Sequence, residues 1–458
     1  GLYLMNHRSG RNGTPLDRRH TNIAHEVRKL GFDPVLFGYT DTSADPRGLH
    51  PLDPALRTFE GALPGYRIGM LFPDYMAAWM TDLRAKGYQF TGRQDVYQPR
   101  PGYVPPPDRG HRFIPAIYRA EDSDTSFMTR AVIEWLGDHR QHDWFMHCVF
   151  LRPHPPIITP EPYNARYDPA DIALPWRKPS AQEEAAQHPH LRQWIERFSR
   201  PSSYDEHNPN NLVDMPDLEL RQMRACYYGM MNEVDDAVGQ IVAHLKATGE
   251  YDNTLIIFTC DHGEMGGDHY TWGKELYFDQ SFYIPLVIRD PRPPARPAYG
   301  QQVDAITESV DLMPTMLDWL GGAVPAQCDG RSLLPFLEGR TPAKWRSEAH
   351  MELDFRMGPH AGYDAQEKLQ LEPDECQLAI LRGDRWKYVH FAALPPLLFD
   401  LQTDPHEMHD LTSDPAHQPI MLQMAQKMLS WRLLHQEHVL TNLHLGPDGV
   451  EDRSVQRR

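Results

Sequence analysis

The chain has 458 residues, 40% of them hydrophobic, with 46 Lys+Arg against 63 Asp+Glu and a net charge of −17. That length exceeds one ordinary domain and fits a large α/β unit with a smaller appendage, while the acidity argues against a nucleic-acid partner held through phosphate contacts, so an anionic ligand must be captured by local cations. Five cysteines scattered without close pairs fit free thiols and a reducing compartment, and no apolar run approaches the length of a membrane span.

In chain order, residues 21–31 place Ile23, Val27 and Leu30 on one face and stop at Gly31, which predicts a short amphipathic helix. Val35, Leu36 and Phe37 read as a core strand with Gly38, Tyr39, Thr40 and Asp41 at its carboxyl end. Residues 97–115 are proline-rich and without period, predicting a long ordered loop over the site or a surface excursion. A helix over 126–136 and a buried strand over 144–151 lead into RPHPP at 152–156. The polar, proline-broken stretch 161–224 reads as a lid or subunit-contact insertion outside the core. Residues 227–249 carry Val234, Val238, Ile241, Val242 and Leu245 at helical spacing and end on Gly249.

The next segment carries the chemistry. Leu255, Ile256, Ile257 and Phe258 predict a strand buried on both faces, followed by TCDHGEMGGDHYTWGK at 259–274. Adjacent Asp261 and His262 at a strand end offer an oxygen and an imidazole suited to a divalent transition ion, and Lys274 in the same glycine-rich loop suits an anionic oxygen. A strand-end turn with a capping Asp and an incidental His is the plainer alternative. A second apolar strand falls in 281–290, and a helix in 308–322 with Pro314 in its first turn. Alternating strands and helices imply a mainly parallel sheet covered on both faces. Beyond about residue 342 the pattern changes to hairpin strands over 377–391 and 397–411, a helix over 420–435, and a polar tail over 446–458. Asp235 and Asp236 read as a solvated helix face, and His269 as a loop hydrogen bonder.

From GLYLMNHR at Gly1 to SWRLLH at Ser430 these segments resemble the sulfatase branch of the alkaline phosphatase superfamily, and in detail its phosphonate monoester hydrolases, which also cleave phosphodiesters. The resemblance implies an α/β, alkaline-phosphatase-like fold: a metallohydrolase core over residues 1–345 and an α+β subdomain with an antiparallel sheet over 346–458. In that family a first strand bears an acidic metal ligand and leads to CxPxR, whose Cys becomes a formylglycine nucleophile. Gly1 corresponds to a position just after that motif, so both are expected upstream of it. Cys148 and Arg152 share the Cys-to-Arg spacing, but the bulky apolar residues between them argue against that role.

Carried onto this sequence, the resemblance makes Asp261 and His262 metal ligands and has Lys274 bind a substrate oxygen and steady the nucleophile. It has His154 protonate the leaving group or contact substrate, and Asn12 donate hydrogen bonds near the nucleophile; Asn12 beside Gly13 also fits a plain turn. Tyr39, in GYTD, is by the same resemblance a substrate-binding residue: it stands where typical sulfatases carry GKWH and matches the phosphonate hydrolases, which place a threonine at the position of Asp41. That carboxylate must pair with a cation, bind the metal or turn outward. A histidine ligand favours Mn, Zn or Fe over Ca. The implied activity is metal-dependent hydrolysis of phosphonate monoesters and phosphodiesters, with promiscuity towards sulfate esters. The rivals are an arylsulfatase and an inactive fragment that binds anions. A small anionic ester substrate, no nucleic acid, no membrane, a homo-oligomer contacted through the insertion and tail, and a cytoplasmic location complete the expectation.

Overall fold

Asn22 opens the first long helix, its side chain accepting the His25 amide, and α1 (Ile23–Lys29) then buries Ala24 and Val27; of the predicted face Val27 is buried and Ile23 partly so, while Leu30 at the helix end is 37% exposed. This holds in the computed structural model, which describes residues 1–57, 61–72, 76–140, 142–199, 211–356 and 365–452. The apolar run after α1 forms β1 (Val35–Gly38), buried throughout. It pairs in parallel with β2 (Arg67–Leu71) on one side and β3 (Met146–Cys148) on the other, in the order β2-β1-β3. Gly38 ends β1 with φ +108°, and a Cβ there would stand 2.5 Å from the Val149 carbonyl oxygen, so only glycine lets the two chains run this close.

Helices α2 (Ala77–Ala85) and α3 (Asp124–Asp138) cover this sheet, with Phe37, Trp79, Val132 and Leu136 in one apolar cluster. Ser123 caps α3 by accepting the Ser126 amide. The 144–151 strand is shorter and more open than predicted: only β3 forms, and His147 is exposed. The proline-rich stretch 97–115 is ordered, burying Tyr97, Arg112 and Phe113, but none of its residues lines the cleft described below.

The reading of 161–224 as an insertion outside the core is corrected. Helix α5 (Pro189–Phe198) sends Leu191, Trp194, Ile195 and Phe198 into the apolar core shared with Met223 and Phe399, and the short α4 (Ala181–Ala185) packs Ala181 and Ala185 against it. Prolines break the segment into short pieces, which hides the helical period; residues 200–210 of it lie outside the described residues. Helix α6 (Asp217–Thr248) starts earlier than predicted, because Leu220, Met223, Cys226 and Met230 extend its buried stripe before the valines begin. It ends, as read, on Gly249 with φ +80°.

Strand β4 (Ile256–Thr259) pairs antiparallel with β5 (Leu286–Arg289) as a separate two-stranded ribbon. The expectation of a strand buried on both faces fails here: Phe258 is 38% and Val287 61% exposed. Thr259, Leu286, Val287 and Ile288 face a large cleft, which accounts for their exposure. Helix α7 (Leu312–Trp319) follows with Pro314 in its first turn.

The carboxyl-terminal sheet is antiparallel, β6 (Ala349–Asp354), β7 (Gln377–Arg382), β8 (Trp386–Phe391) and β9 (Leu397–Asp400) in that order. Helix α8 (Gln418–His435) packs Met424 and Met428 on Ala379, Leu381, Tyr388 and Leu398. A hairpin, β10 (Leu443–Gly446) and β11 (Gly449–Asp452), forms most of the predicted tail; residues 453–458 lie outside the described residues. Trp194, Met223, Trp272 and Phe278 share one core with Phe355, Ile380, Val389 and Phe399, so packing runs unbroken across residue 345. Among the described residues no helix is long and apolar enough to cross a membrane.

Candidate active site

Strand β4 delivers the chain through Cys260 to Asp261 and His262 at its carboxyl end. The following turn is packed backbone to backbone: the Gly263 amide donates to the Ser281 carbonyl at 2.9 Å, and a Cβ on Gly263 would stand 2.0 Å from the Gln280 carbonyl oxygen. Glu264 then closes the glycine-rich loop at its neck, Oε1 accepting the amides of Gly266 at 3.0 Å and Gly273 at 2.6 Å. Buried Trp272 anchors the loop, and Lys274 emerges beside it half-buried.

A cleft of about 2030 Å³ collects Asn12, His154, Asp261, His262 and Lys274, from segments far apart in the chain. Tyr39 is not among its lining residues; it packs against the apolar cluster under the β1 sheet. Next to it, Thr40 accepts the Leu63 amide at 2.8 Å, and Asp41 adopts a left-handed backbone with φ +49°. Asn12 is exposed in a turn beside Gly13, whose φ of +82° suits glycine. His154 is exposed, with Nδ1 2.7 Å from the Pro155 carbonyl. A proton on Nδ1 donates there, which ties the ring to its own turn.

The Asp261 carboxylate is 75% exposed, and its Oδ2 lies 3.3 Å from His262 Nε2. His262 Nδ1 lies 2.7 Å from the Gly263 carbonyl, the arrangement that turns a lone pair on Nε2 outward for a metal. At 3.3 Å apart, Oδ2 and Nε2 are close enough to be shared by one ion. The imidazole is held below its usual pKa, first by burial and then by the charge of Lys274, which keeps it in the ligating neutral form. These two side chains fit a divalent ion as a partial ligand set; among the described residues no group of three or more His, Cys, Asp or Glu completes it.

Lys274 differs from the other cations of the cleft. Arg11 pairs with Glu275, Arg289 with Asp252, Arg356 with Asp354 and Arg382 with Asp279, whereas Lys274 makes no ion pair among the described residues. A half-buried ammonium that makes no ion pair among the described residues suits an anionic oxygen. Sequence reasoning missed Arg11, Glu275, Arg356 and Arg382. Arg11 and Glu275 adjoin Asn12 and Lys274 in sequence, and that adjacency is the only signal they carry. His269 is a loop hydrogen bonder as read, fully buried with Nδ1 2.9 Å from Glu184.

The family described as Sulfatase matches residues 1–323. The chain belongs to the sulfatase family. A second match, to the carboxyl-terminal part of N-sulphoglucosamine sulphohydrolase, covers residues 267–433 of this sulfatase-family protein and takes in its antiparallel sheet. The chain is 41% identical over 456 residues to the multifunctional alkaline phosphatase superfamily protein PehA of Trinickia caryophylli, spanning 99% of this chain and 87% of that one. Two solved phosphonate monoester hydrolases share its fold. That of Silicibacter pomeroyi is 40% identical with a TM-score of 0.90, over 98% of this chain and 87% of that one. That of Agrobacterium radiobacter is 41% identical with a TM-score of 0.89, over 99% and 88%. Arylsulfatase K of Xenopus laevis is 32% identical over 208 residues, 45% of this chain and 36% of its own. The protein is thus a hydrolase of the alkaline phosphatase superfamily, whose members use a divalent metal ion.

Proposed function

We propose that this sulfatase-family hydrolase cleaves phosphonate monoesters and phosphodiesters, and sulfate esters less well. The observation that carries the reading is Lys274, a half-buried cation that makes no ion pair among the described residues, in the same cleft as the Asp261–His262 donor pair. The likeness to two phosphonate monoester hydrolases over nearly the whole chain supports the substrate class.

Asp261 and His262 hold one divalent ion, Mn, Zn or Fe, which when bound supplies Lewis-acid stabilisation of the nonbridging oxygens. Lys274 binds one of those oxygens and offsets the charge that repels an attacking oxygen. Asn12 donates a hydrogen bond beside the reacting centre. As the bond from phosphorus to the leaving oxygen breaks, His154 gives that oxygen its Nε2 proton. The attacking oxygen is assigned to a formylglycine, as the family resemblance implies, and not to Cys148: burial pushes that thiol up to about 12, and it does not line the cleft. Tyr39 acts from behind, as part of the packed end of β1. Five free cysteines support a cytoplasmic location, and exposed leucines on α8 and the hairpin support a homo-oligomer.

The test is made on the protein expressed from its complete gene. Asp261→Ala abolishes metal-dependent hydrolysis and lowers bound metal; Lys274→Ala keeps the metal and lowers kcat by roughly 100- to 1,000-fold, as for loss of one preorganised charge-stabilising group. Unchanged activity in Asp261→Ala would sink the assignment. An arylsulfatase would instead show sulfate-ester kcat/KM exceeding that for phosphonate monoesters.

A further inference from the structure

Arg152 lies beneath the turn that presents His154 to the cleft. It is 3% exposed although it carries a full charge. Its guanidinium sits over the Tyr97 ring at 4.5 Å, donates to the Tyr118 hydroxyl at 3.0 Å, and brings Nε to 3.4 Å from Asp124 Oδ2. Nη1 donates to the Pro156 carbonyl at 2.8 Å and the His154 carbonyl at 3.3 Å. Asp124 is itself fixed, accepting the Tyr97 hydroxyl at 2.9 Å from the first turn of α3, where the helix N-terminus favours a carboxylate. Glu233 reaches the same cluster from α6, 3.4 Å from the Thr159 hydroxyl. Burial, and then the Asp124 charge, push its carboxyl up, and the carboxylate that contacts the guanidinium directly is Asp124.

Burying such a group is weak evidence of a stabilising device, since desolvation opposes the attraction of the pair. What the arrangement does supply is a rigid fork joining two carbonyls of one turn to a helix terminus, which an ammonium cannot reproduce. A displacement of about 1 Å in a reacting group lowers rates by roughly 100-fold. We propose that Arg152 is a positioning residue for His154: held by Asp124, Tyr97 and Tyr118, its guanidinium fixes the His154 and Pro156 carbonyls and so sets where the imidazole stands in the cleft. This rests on the reading of His154 as the leaving-group acid.

Arg152→Lys keeps the charge against Asp124 and removes the fork. The experiment measures kcat and KM of the full protein, with bound metal and a melting curve as controls, on esters of one phosphonate whose leaving groups run from 4-nitrophenol to a simple alcohol. The alcohol ester needs the acid most, so kcat falls roughly 10- to 100-fold there and less than about threefold for 4-nitrophenyl, with KM within about twofold. Tyr118→Phe, which removes a single hydroxyl and preserves shape, gives the same trend at several-fold and decides the matter if the lysine variant does not fold. A loss uniform across the series, or none in a folded variant, overturns the inference. His154→Ala is run beside them. If it shows the steep leaving-group dependence and the other two do not, the clamp is wrong; if His154→Ala shows none, the acid assignment fails and the clamp with it.

Discussion

His190 is fully buried and neutral by construction: Nε2 donates to the Glu275 carbonyl at 3.0 Å, and Nδ1 accepts the Gln193 amide at 2.9 Å. Burial lowers it to about 3 from 6.5, and neighbouring His188 to about 4. As pH falls through 6.5 the unfolded chain takes up these protons first. The stability due to the neutral rings is therefore complete above 6.5 and is lost towards the folded-state values, at about 1.4 kcal/mol per pH unit for each ring. The melting temperature should fall more steeply between pH 6.5 and 4 in the wild type than in His190→Gln, and parallel curves would refute this. At this scale the sequence was most legible where chemistry is packed into one loop: Asp261, His262 and Lys274 could be read together because one turn carries them. Arg11 and Glu275 could not, since their pairing joins loops more than 250 residues apart. Tyr39 was legible as a strand-end residue, but its packing against the core depends on neighbours from other elements.

Elements with a clean period were readable and those broken by proline were not. The helices around α1 and α7 and strands β7, β8 and β9 stand close to where spacing placed them, whereas β6 was not anticipated and the 397–411 strand stops at Asp400. The α4–α5 region was misread because its buried residues are divided among short helices, so that polar composition outweighed pattern. Trp194 tests the corrected account. It is 5% exposed and packed among Leu191, Phe198 and Met223 in the main core. Trp194→Ala should cost about 3–5 kcal/mol by denaturant unfolding, the usual cost of removing a buried aromatic ring. A cost below about 1 kcal/mol would return the segment to the status of a detachable insertion. Strand β4 departs the other way: four apolar residues in a row predict burial on two sides, yet the carboxyl end of the strand opens on the cleft at Thr259. An apolar run gives the tendency to extend and pair, and the neighbouring elements decide which faces are covered.

For the whole molecule, the unbroken core across residue 345 binds the antiparallel sheet rigidly to the catalytic half, so α8 and the terminal hairpin are held as fixed surface features. Helix α8 turns Met424 and Met428 onto the sheet, while Leu422, Leu429 and Leu433, spaced seven and four residues apart, form a stripe on its far side. These leucines are 60–61% exposed, and Leu440 and Leu445 beyond the helix are 72% and 78% exposed. Scattered apolar residues on a surface need no explanation, but a straight leucine stripe continued by a hairpin is the kind of patch that marks an interface. A second copy of the chain is the economical partner, since a two-fold axis lets one patch cover itself. The net charge of −17 opposes such association at long range and is screened within about 8 Å at physiological salt, so assembly should tighten as salt is raised. Light scattering on the full protein should give a mass that is a multiple of the chain's own. Leu433→Asp should shift it towards the single chain without lowering the melting temperature of the monomer core, because the side chain contributes little to the fold. A monomeric wild type at micromolar concentration in 0.15 M and 0.5 M salt would rule this interface out.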